Sequence, residues 1–513
     1  MKRVLIEPNR YFDSVFLMRI SQEIESLDGV QQAVVAMGTR ANLDSLAAVG
    51  FALEESARPI LPNDVVVALD TKTKEAFAEA KELLEALLTG DASDNTADVR
   101  PSSLREALEV DPSANLALIS VPGEYAAREA RQALRQGLHV MLFSDNVSVE
   151  DEVALKDRAI ERGLLMMGPD CGTAILNGVP LGFANACRRG SIGIVGASGT
   201  GIQEISSLVH RLGGGISQAI GTGGRDLSSD VGAAMTRFSI EALADDPQTD
   251  VIVVVSKTPA PEVAQSVIDT LAAAGKPAVV HFVAGGTRSP ERTVQFADTL
   301  DEAATLACKA AGIQAPRGVP TAVSTIAETA TDQPAAGRLV GLFCGGTLCQ
   351  EAWSLMSQAG VDVVSNVAAD PDKKIHPEAQ VAGSVLWDLG DDVFTVGRPH
   401  PMIEPSLRDE RVEQAGNDPD VRIVLVDCVI GYGAHEDPAG SLGEASRSAL
   451  AAAKAARRGL HIIASVTGTD LDPQSASEQR TRLEDAGVVV AGSNAAAVRL
   501  AIDLLKRFQG DTP

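Results

Sequence analysis

Two short stretches, far apart in the chain, share one design. Ser191–Glu204 reads Ser-Ile-Gly-Ile-Val-Gly-Ala-Ser-Gly-Thr-Gly-Ile-Gln-Glu. It predicts an apolar strand at Ile192–Val195, a glycine-rich turn at Gly196–Gly201 and a helix running to about Leu212. Leu339–Phe343 is a second apolar strand, followed by Cys344-Gly-Gly-Thr-Leu-Cys-Gln-Glu351. Gly199-Thr200-x-x-Gln203-Glu204 matches Gly346-Thr347-x-x-Gln350-Glu351 at the same internal spacing. Strand, glycine turn and helix form the geometry in which free backbone N–H groups and a helix dipole meet an anion. Taken singly, the turn reads equally well as a phosphate site or as a plain capped turn. The repetition favours the phosphate reading. It makes Ser198, Gly199 and Thr200, and Gly345, Gly346 and Thr347, candidate phosphate ligands.

The rest of the chain falls into units around these stretches. A length of 513 residues predicts about three or four domains. Residues 1–90 alternate strand and helix and read as a small α+β domain, closed by a polar stretch from Thr89 to Pro101. Residues 102–188 alternate again, with loops at Pro122–Tyr125, Ser144–Val147 and Gly168–Thr173 at strand C-terminal ends, the ligand edge of an open parallel sheet. Residues 190–316 and 338–508 read as two tandem doubly wound copies, separated by a Pro-, Thr- and Ala-rich segment from Ala315 to Arg338. Asp245-Asp-Pro-Gln before Val251–Val255 is answered by Asn417-Asp-Pro-Asp before Val421–Val426. Gly397-Arg-Pro-His-Pro-Met402 is expected where Gly221–Asp226 sits in the first copy.

Composition narrows the function. A net charge of −25 argues against a broad nucleic-acid surface, so an anionic ligand needs local N–H groups or a few Arg and Lys. The six cysteines form no C-x-x-C pair and no zinc spacing, so no metal site is expected. The amino-terminal residues contain no apolar signal region, and no run of about 18 apolar residues occurs. The expectation is a cytoplasmic protein without membrane contact. The G-x-G-x-x-G dinucleotide fingerprint is absent, which leaves nicotinamide or flavin chemistry without support.

Residues from about 102 to 290 resemble the alpha subunit of succinyl-CoA synthetase. The likeness lies in Val121-Pro122 with Tyr125, Gly168-Pro-Asp-Cys-Gly-Thr173, Gly193-Ile-Val-Gly-Ala-Ser-Gly-Thr200 and the Asp246-Pro247-x-Thr249 turn. Residues from about 338 to 508 resemble the carboxy-terminal domain of that enzyme's beta subunit. The whole chain, with Met37-Gly-Thr39 and Gly397-Arg-Pro-His-Pro401, is most similar to the FdrA family, whose members are usually labelled acyl-CoA synthetases. The resemblance implies an α/β protein: a Rossmann-like CoA-binding-type domain and two tandem flavodoxin-like succinyl-CoA-synthetase-type domains, preceded by the small α+β domain. It also implies two helix N-termini pointing at one phosphoryl group, with CoA as a cofactor that such a fold accommodates.

One departure changes the expected chemistry. The synthetases carry a phosphorylated histidine in a Gly-His-Ala-Gly-Ala segment. Here the chain runs Phe282-Val-Ala-Gly-Gly-Thr-Arg-Ser-Pro290, without it, and no length remains for an ATP-grasp domain. His281 lies in an apolar strand and reads as a core residue. What remains is a cradle for phosphate or an acyl phosphate. The FdrA resemblance implies carbamoyl transfer from carbamoyl phosphate to a small acceptor such as oxamate, in purine or allantoin breakdown, with partner subunits in an oligomer. A CoA ligase whose nucleotide site is on a separate protein is the alternative, and a non-catalytic scaffold a weaker one. Candidate catalytic residues are His400, His435 and Arg398. Gly223, Gly224 and Arg225 are the anion-binding candidates of the first copy, with Lys257 and the Lys373-Lys374-Ile-His376 patch as lesser ones. Pro122, Tyr125, Asp170 and Cys171 are candidates for a CoA-type or acyl-binding loop, Cys171 also as a nucleophile.

Overall fold

The structure, a computed structural model, describes residues 2–8, 10, 12, 14–25, 27, 29–48, 50–51, 59–90, 101, 103–283, 285, 293–314, 337–376, 379–395 and 399–509. They form two compact units: the described residues up to 101 with Pro399, and those of 103–395 and 400–509.

The first unit contains β1 (Lys2–Glu7), α1 (Ser14–Glu25), β2 (Val30–Met37), α2 (Arg40–Ala48), β3 (Val65–Thr71) and α3 (Lys74–Gly90). The sheet is antiparallel in the order β1-β3-β2. The unbroken apolar run Val65–Leu69 is what a central strand buried on both faces requires. Val65, Val67 and Leu69 pack with Leu17, Ile20 and Leu84, while Val66 and Ala68 pack with Leu46 and Phe51.

The second unit opens with α4 (Leu104–Val110), β4 (Leu116–Ile119), α5 (Gly123–Arg135), β5 (His139–Leu142), α6 (Val149–Glu161) and β6 (Met166–Met167). The three strands make a small parallel sheet. The hairpin β7 (Thr173–Leu176) and β8 (Val179–Gly182) follows. It leaves that sheet and joins the next one, a difference from the expectation that residues 102–188 form one closed block.

The first tandem copy contains β9 (Arg189–Ala197), α7 (Gly199–Arg211), β10 (Ile216–Gly221), α8 (Ala234–Asp245), β11 (Val251–Ser256), α9 (Pro261–Ala273), β12 (Ala278–Phe282), β13 (Val294–Phe296) and α10 (Leu300–Ala310). Its sheet runs β13-β12-β11-β9-β10-β7-β8. The second copy contains β14 (Arg338–Phe343), α11 (Gly346–Gln358), β15 (Val363–Ser365), β16 (Ser384–Asp388), α12 (Asp392–Thr395), α13 (Ser406–Asn417), β17 (Val421–Val429), α14 (Pro438–Ala455), β18 (His461–Thr467), α15 (Ala476–Asp485), β19 (Val489–Ala491) and α16 (Asn494–Gln509). Its sheet runs β15-β16-β14-β17-β18-β19.

The two copies therefore share a plan in which β9 and β14 are the central strands that lead into the glycine turns. The neighbour of β14 that answers β10 is β16, a strand the sequence reading did not place. Thr222 donates its N–H to Gly196 O and Leu389 donates its N–H to Phe343 O, both at 2.8 Å, which fixes the correspondence. The counterpart of Gly221–Asp226 thus begins at Asp388, ahead of Gly397–Met402. Helices α7, α10, α11 and α16 pack together. Ile202, Ile205, Ala303, Leu348, Ala352, Ala497 and Ala501 belong to one core that reaches into both copies. Among the described residues, no helix is long and apolar enough to cross a membrane.

Candidate functional site

Both glycine turns end at helix heads, and the heads meet. Ser198 caps α7, accepting the Gly201 N–H at 3.1 Å. Its hydroxyl lies 2.6 Å from that of Thr347 on α11. A Cβ placed on Gly345 would stand 2.9 Å from the Thr200 methyl, so glycine is what allows this approach. Gly345 has no capping side chain of its own. Asp427 from β17 serves instead, accepting the N–H groups of Cys344 and Gly345 at 2.7 Å each. The N–H groups of Gly199, Thr200, Gly346 and Thr347 have no acceptor among the described residues. Those are the donors that a helix start leaves for an anion. Ser198, Thr200 and Thr347 are buried, Gly199 is exposed and Gly346 half-buried, so the two glycines mark the open side.

A ring of charges borders this junction. Asp388, the last residue of β16, is buried beside Gly346. Its Oδ1 accepts the Gly390 N–H at 3.0 Å, and its Oδ2 has no partner among the described residues. Burial pushes the Asp388 carboxyl up to about 7 against the pull of Lys257 and the Gly390 hydrogen bond, with Asp391 and Asp427 adding to the rise. Lys257 follows β11, whose Ser256 is in register with Ala197. It is exposed, makes no ion pair among the described residues, and its field acts on Asp170, Asp388 and Asp392. Sequence reasoning did not reach Asp388 at all. The signal was there in Ser384-Val-Leu-Trp-Asp388 before Leu-Gly, a short apolar strand ending in a carboxylate.

The remaining predicted residues divide. His400 lies near the α11 turn: a Cβ on Gly390 would stand 2.5 Å from its Nε2 and 2.9 Å from Cys344 O. Its Nδ1 accepts the Met402 N–H at 3.2 Å, its ring lies 6.0 Å from that of Phe183, and burial lowers it to about 4. It is a neutral imidazole with Nε2–H as donor. His435 accepts the Asp437 N–H at 3.0 Å and donates its own backbone N–H to Met402 O at 2.8 Å. Arg398 lies outside the described residues. Gly223 closes on Pro169 O, and a Cβ on Gly224 would stand 3.2 Å from Asp170. Arg225 reaches away from the helix heads to α6, where it donates to Glu152 at 3.0 Å and to Val147 O at 2.8 Å. Beside it the buried Lys156 ammonium donates to Glu152 and Asp226, each at 2.7 Å, and to Thr222 O at 3.0 Å. The Gly223–Asp226 loop is thereby tied to the small parallel sheet.

Loss of water raises Asp170 to about 6, with Lys257 pulling the other way. Cys171 is buried, with Sγ 3.4 Å from Gly221 O, and burial pushes its thiol to about 12, which favours the neutral thiol. Pro122 precedes α5 and Tyr125 is 53% exposed. Lys373 pairs with Asp362 at 2.6 Å at the surface instead of joining an anion patch. His281 is buried in β12 with Nδ1 3.1 Å from Ala297 O, as its apolar strand implied. Among the described residues no group of His, Cys, Asp and Glu is arranged to hold a metal ion.

Fold and site together define a protein in which two open parallel-sheet domains present glycine-turn helix heads to one another. The family model described as CoA-ligase matches residues 342–504, and CoA binding domain matches 188–285. The latter falls on the first tandem copy rather than on 102–188. A third, described as AllF, heavy metal-associated domain, matches residues 1–102, where no cysteine occurs. The chain is 45% identical over 499 residues to uncharacterized protein YahF of Escherichia coli, spanning 96% of each. It is 31% identical over 207 residues to the ADP-forming succinate–CoA ligase subunit alpha 2 of Archaeoglobus fulgidus, covering 39% of this chain and 69% of that one. With the Trichomonas vaginalis mitochondrial subunit alpha-2 the identity is 30% over 195 residues, 36% of this chain and 62% of that one. The solved acetyl-coenzyme A synthetase 1 of Ca. Korarchaeum cryptofilum covers 77% of this chain, and 84% of its own is covered, at 15% identity and a TM-score of 0.32, too low a likeness to carry argument. The chain belongs to the succinyl-CoA-synthetase-like family.

Proposed function

We propose that this chain is an acyl-CoA-ligase-type component that exchanges an acyl group between phosphate and CoA at the meeting point of α7 and α11. The observation that carries this reading is the head-to-head approach of the two glycine-turn helices, 2.6 Å apart at Ser198 and Thr347. Both lie in segments matched by the CoA-binding and CoA-ligase families. Each helix head favours an anion by about 0.3–1 kcal/mol through its dipole, and direct N–H bonds add to that. In the exchange, acyl phosphate and the CoA thiol give the thioester and inorganic phosphate. The finer placement is in the FdrA family, with the nucleotide site on a partner subunit. The absence of any histidine from residues 282–292 counts against a phosphohistidine step on this stretch of the chain.

The same absence favours a second reading, carbamoyl transfer from carbamoyl phosphate to a small acid or amide such as oxamate, which needs no phosphohistidine. One experiment separates the two. The protein is mixed with succinyl-CoA or acetyl-CoA and inorganic phosphate, without nucleotide. Thiol release and the ³¹P signal of an acyl phosphate are followed. The first reading expects release that depends on phosphate. No phosphate-dependent release, together with consumption of carbamoyl phosphate on oxamate without CoA, replaces it by the second.

A further inference from the structure

Two aspartates flank the α11 turn, one from each strand beside β14, and their hydrogen bonding differs. Asp427 on β17 spends both carboxylate oxygens on the turn, accepting Cys344 and Gly345 N–H. It is a built-in cap. Asp388 on β16 is held just as firmly through its backbone: its N–H donates to Asn366 Oδ1 at 2.9 Å and its carbonyl accepts Asn366 Nδ2 at 3.0 Å. Oδ1 is occupied by Gly390 N–H, but Oδ2 has no partner, and it abuts Gly346, the first residue of α11. Asp388 is 6% exposed. A carboxylate that is largely buried yet keeps one unpaired oxygen at a helix head with free N–H groups is placed to meet a ligand there.

We propose that Asp388 is the proton-transfer residue of this site, taking the proton of the acceptor nucleophile as the acyl group moves. The proposal rests on the acyl-phosphate reading above. The nucleophile, the CoA thiol, attacks the acyl carbon; the C–S bond forms and the C–O bond to phosphorus breaks. The electron pair of that bond leaves on phosphate, and the thiol proton goes to Asp388 Oδ2. Lys257, across the junction, offsets the charge that phosphate gains. The groups that act on Asp388 are Lys257 after β11, Asp391 just before α12, Asp427 on β17 and Cys349 on α11, while His400 lies beside Gly390 two residues on. Burial sets its carboxyl at about 7, where a base is still ionised in part and the proton is readily passed on.

The test compares wild type with Asp388→Asn, an isosteric change. Inorganic phosphate binding is measured by calorimetry from about pH 6 to about 8.5, and the ratio of the two affinities cancels the ionisation of phosphate itself. The expected ratio of wild type to variant falls by about tenfold as Asp388 ionises beside the anion. Phosphate-dependent thiol release falls by about 10²-fold in the variant, with phosphate still bound. A flat ratio with phosphate bound overturns the placement of Asp388 at the anion. A falling ratio with release within twofold of wild type overturns its proton role. If neither protein binds phosphate, the acyl-phosphate reading fails and takes this proposal with it.

Discussion

Lys156 shows why a charged residue inside this protein is not automatically a ligand. Its side chain is wholly buried, and all three of its ammonium contacts are made: Glu152, Asp226 and Thr222 O. Asp226 in turn accepts the N–H and hydroxyl of Thr236 at 2.8 and 2.6 Å, so α6 and α8 are joined through one ion cluster. Removing one member leaves the others unpaired in a low dielectric, and that cost exceeds what the intact cluster contributes. Lys156→Met is expected to cost about 3–5 kcal/mol, read as a fall in the urea midpoint. Adding Glu152→Gln and Asp226→Asn to it is expected to recover much of the loss. A single variant as stable as wild type defeats this account. The same cluster explains the fate of Arg225. The sequence suggested an anion ligand because a Gly-Gly-Arg-Asp loop follows a strand. Its partner Glu152 lies 73 residues earlier, which no local pattern reveals. Asp388 was hidden for a related reason: its strand β16 pairs with β14 across the intervening α11 and β15, a pairing that no local pattern reveals.

At the scale of elements, the repeated Gly-Thr-x-x-Gln-Glu motif has two separate jobs. Its Gly-Thr half forms the helix heads. Its glutamates cross over. Glu204 on α7 accepts the Asn494 N–H that begins α16, at 3.2 Å. Glu351 on α11 accepts the Leu300 N–H that begins α10, at 2.7 Å. Each copy thus caps the last helix of the other, and Asn494 also donates its side-chain amide to Glu351 at 2.8 Å. The sequence displayed the repeat, the tandem plan and most strands, because spacing and apolar runs are local. The crossing was not legible, since it needs residues 143 and 290 positions apart to meet. It has a pH signature. Burial pushes the Glu351 carboxyl from its ordinary 4.5 up to about 8, opposed by its two hydrogen bonds. A raised acid pKa means that the folded chain holds the proton longer than the unfolded one. The contribution is therefore fully present below the ordinary value and is lost as pH rises through the folded one. Glu351→Gln mimics the protonated form. The Tm of the variant minus that of wild type is expected to rise between about pH 5.5 and 8.5, by about 2–4 °C for each kcal/mol. A difference that does not change with pH counts against a titrating Glu351.

On the scale of the second unit, the two tandem copies are halves of one folded body. Their shared core takes Ile202, Val209, Ala304 and Ala307 from one half and Leu348, Trp353, Ala501 and Leu505 from the other. Polar contacts cross as well. Asp472 accepts the side-chain N–H of Asn185 at 2.9 Å and the Ala186 N–H at 2.6 Å, and Thr469 donates to Ala186 O at 2.6 Å. Asn185 and Asp472 are buried, so parting the halves exposes the core and strands these groups together. Such an interface resembles a domain core cut in two, the kind that holds obligate partners. The Pro-, Thr- and Ala-rich stretch between Ala315 and Arg338 is the place to test this, because a protease site can be inserted there. After cleavage the two pieces are expected to co-elute at micromolar concentration and to melt in one transition close to that of the uncut chain. Asp472→Ala should lower that transition in cut and uncut protein alike, because it leaves the Asn185 amide and the Ala186 N–H without their acceptor. Separation of the cut pieces into two folded species, each with its own transition, contradicts a shared core. The outcome bears on catalysis too. The proposed phosphate site takes Ser198 and Thr200 from one half and Gly346 and Thr347 from the other, so anything that parts the halves also takes that proposed site apart.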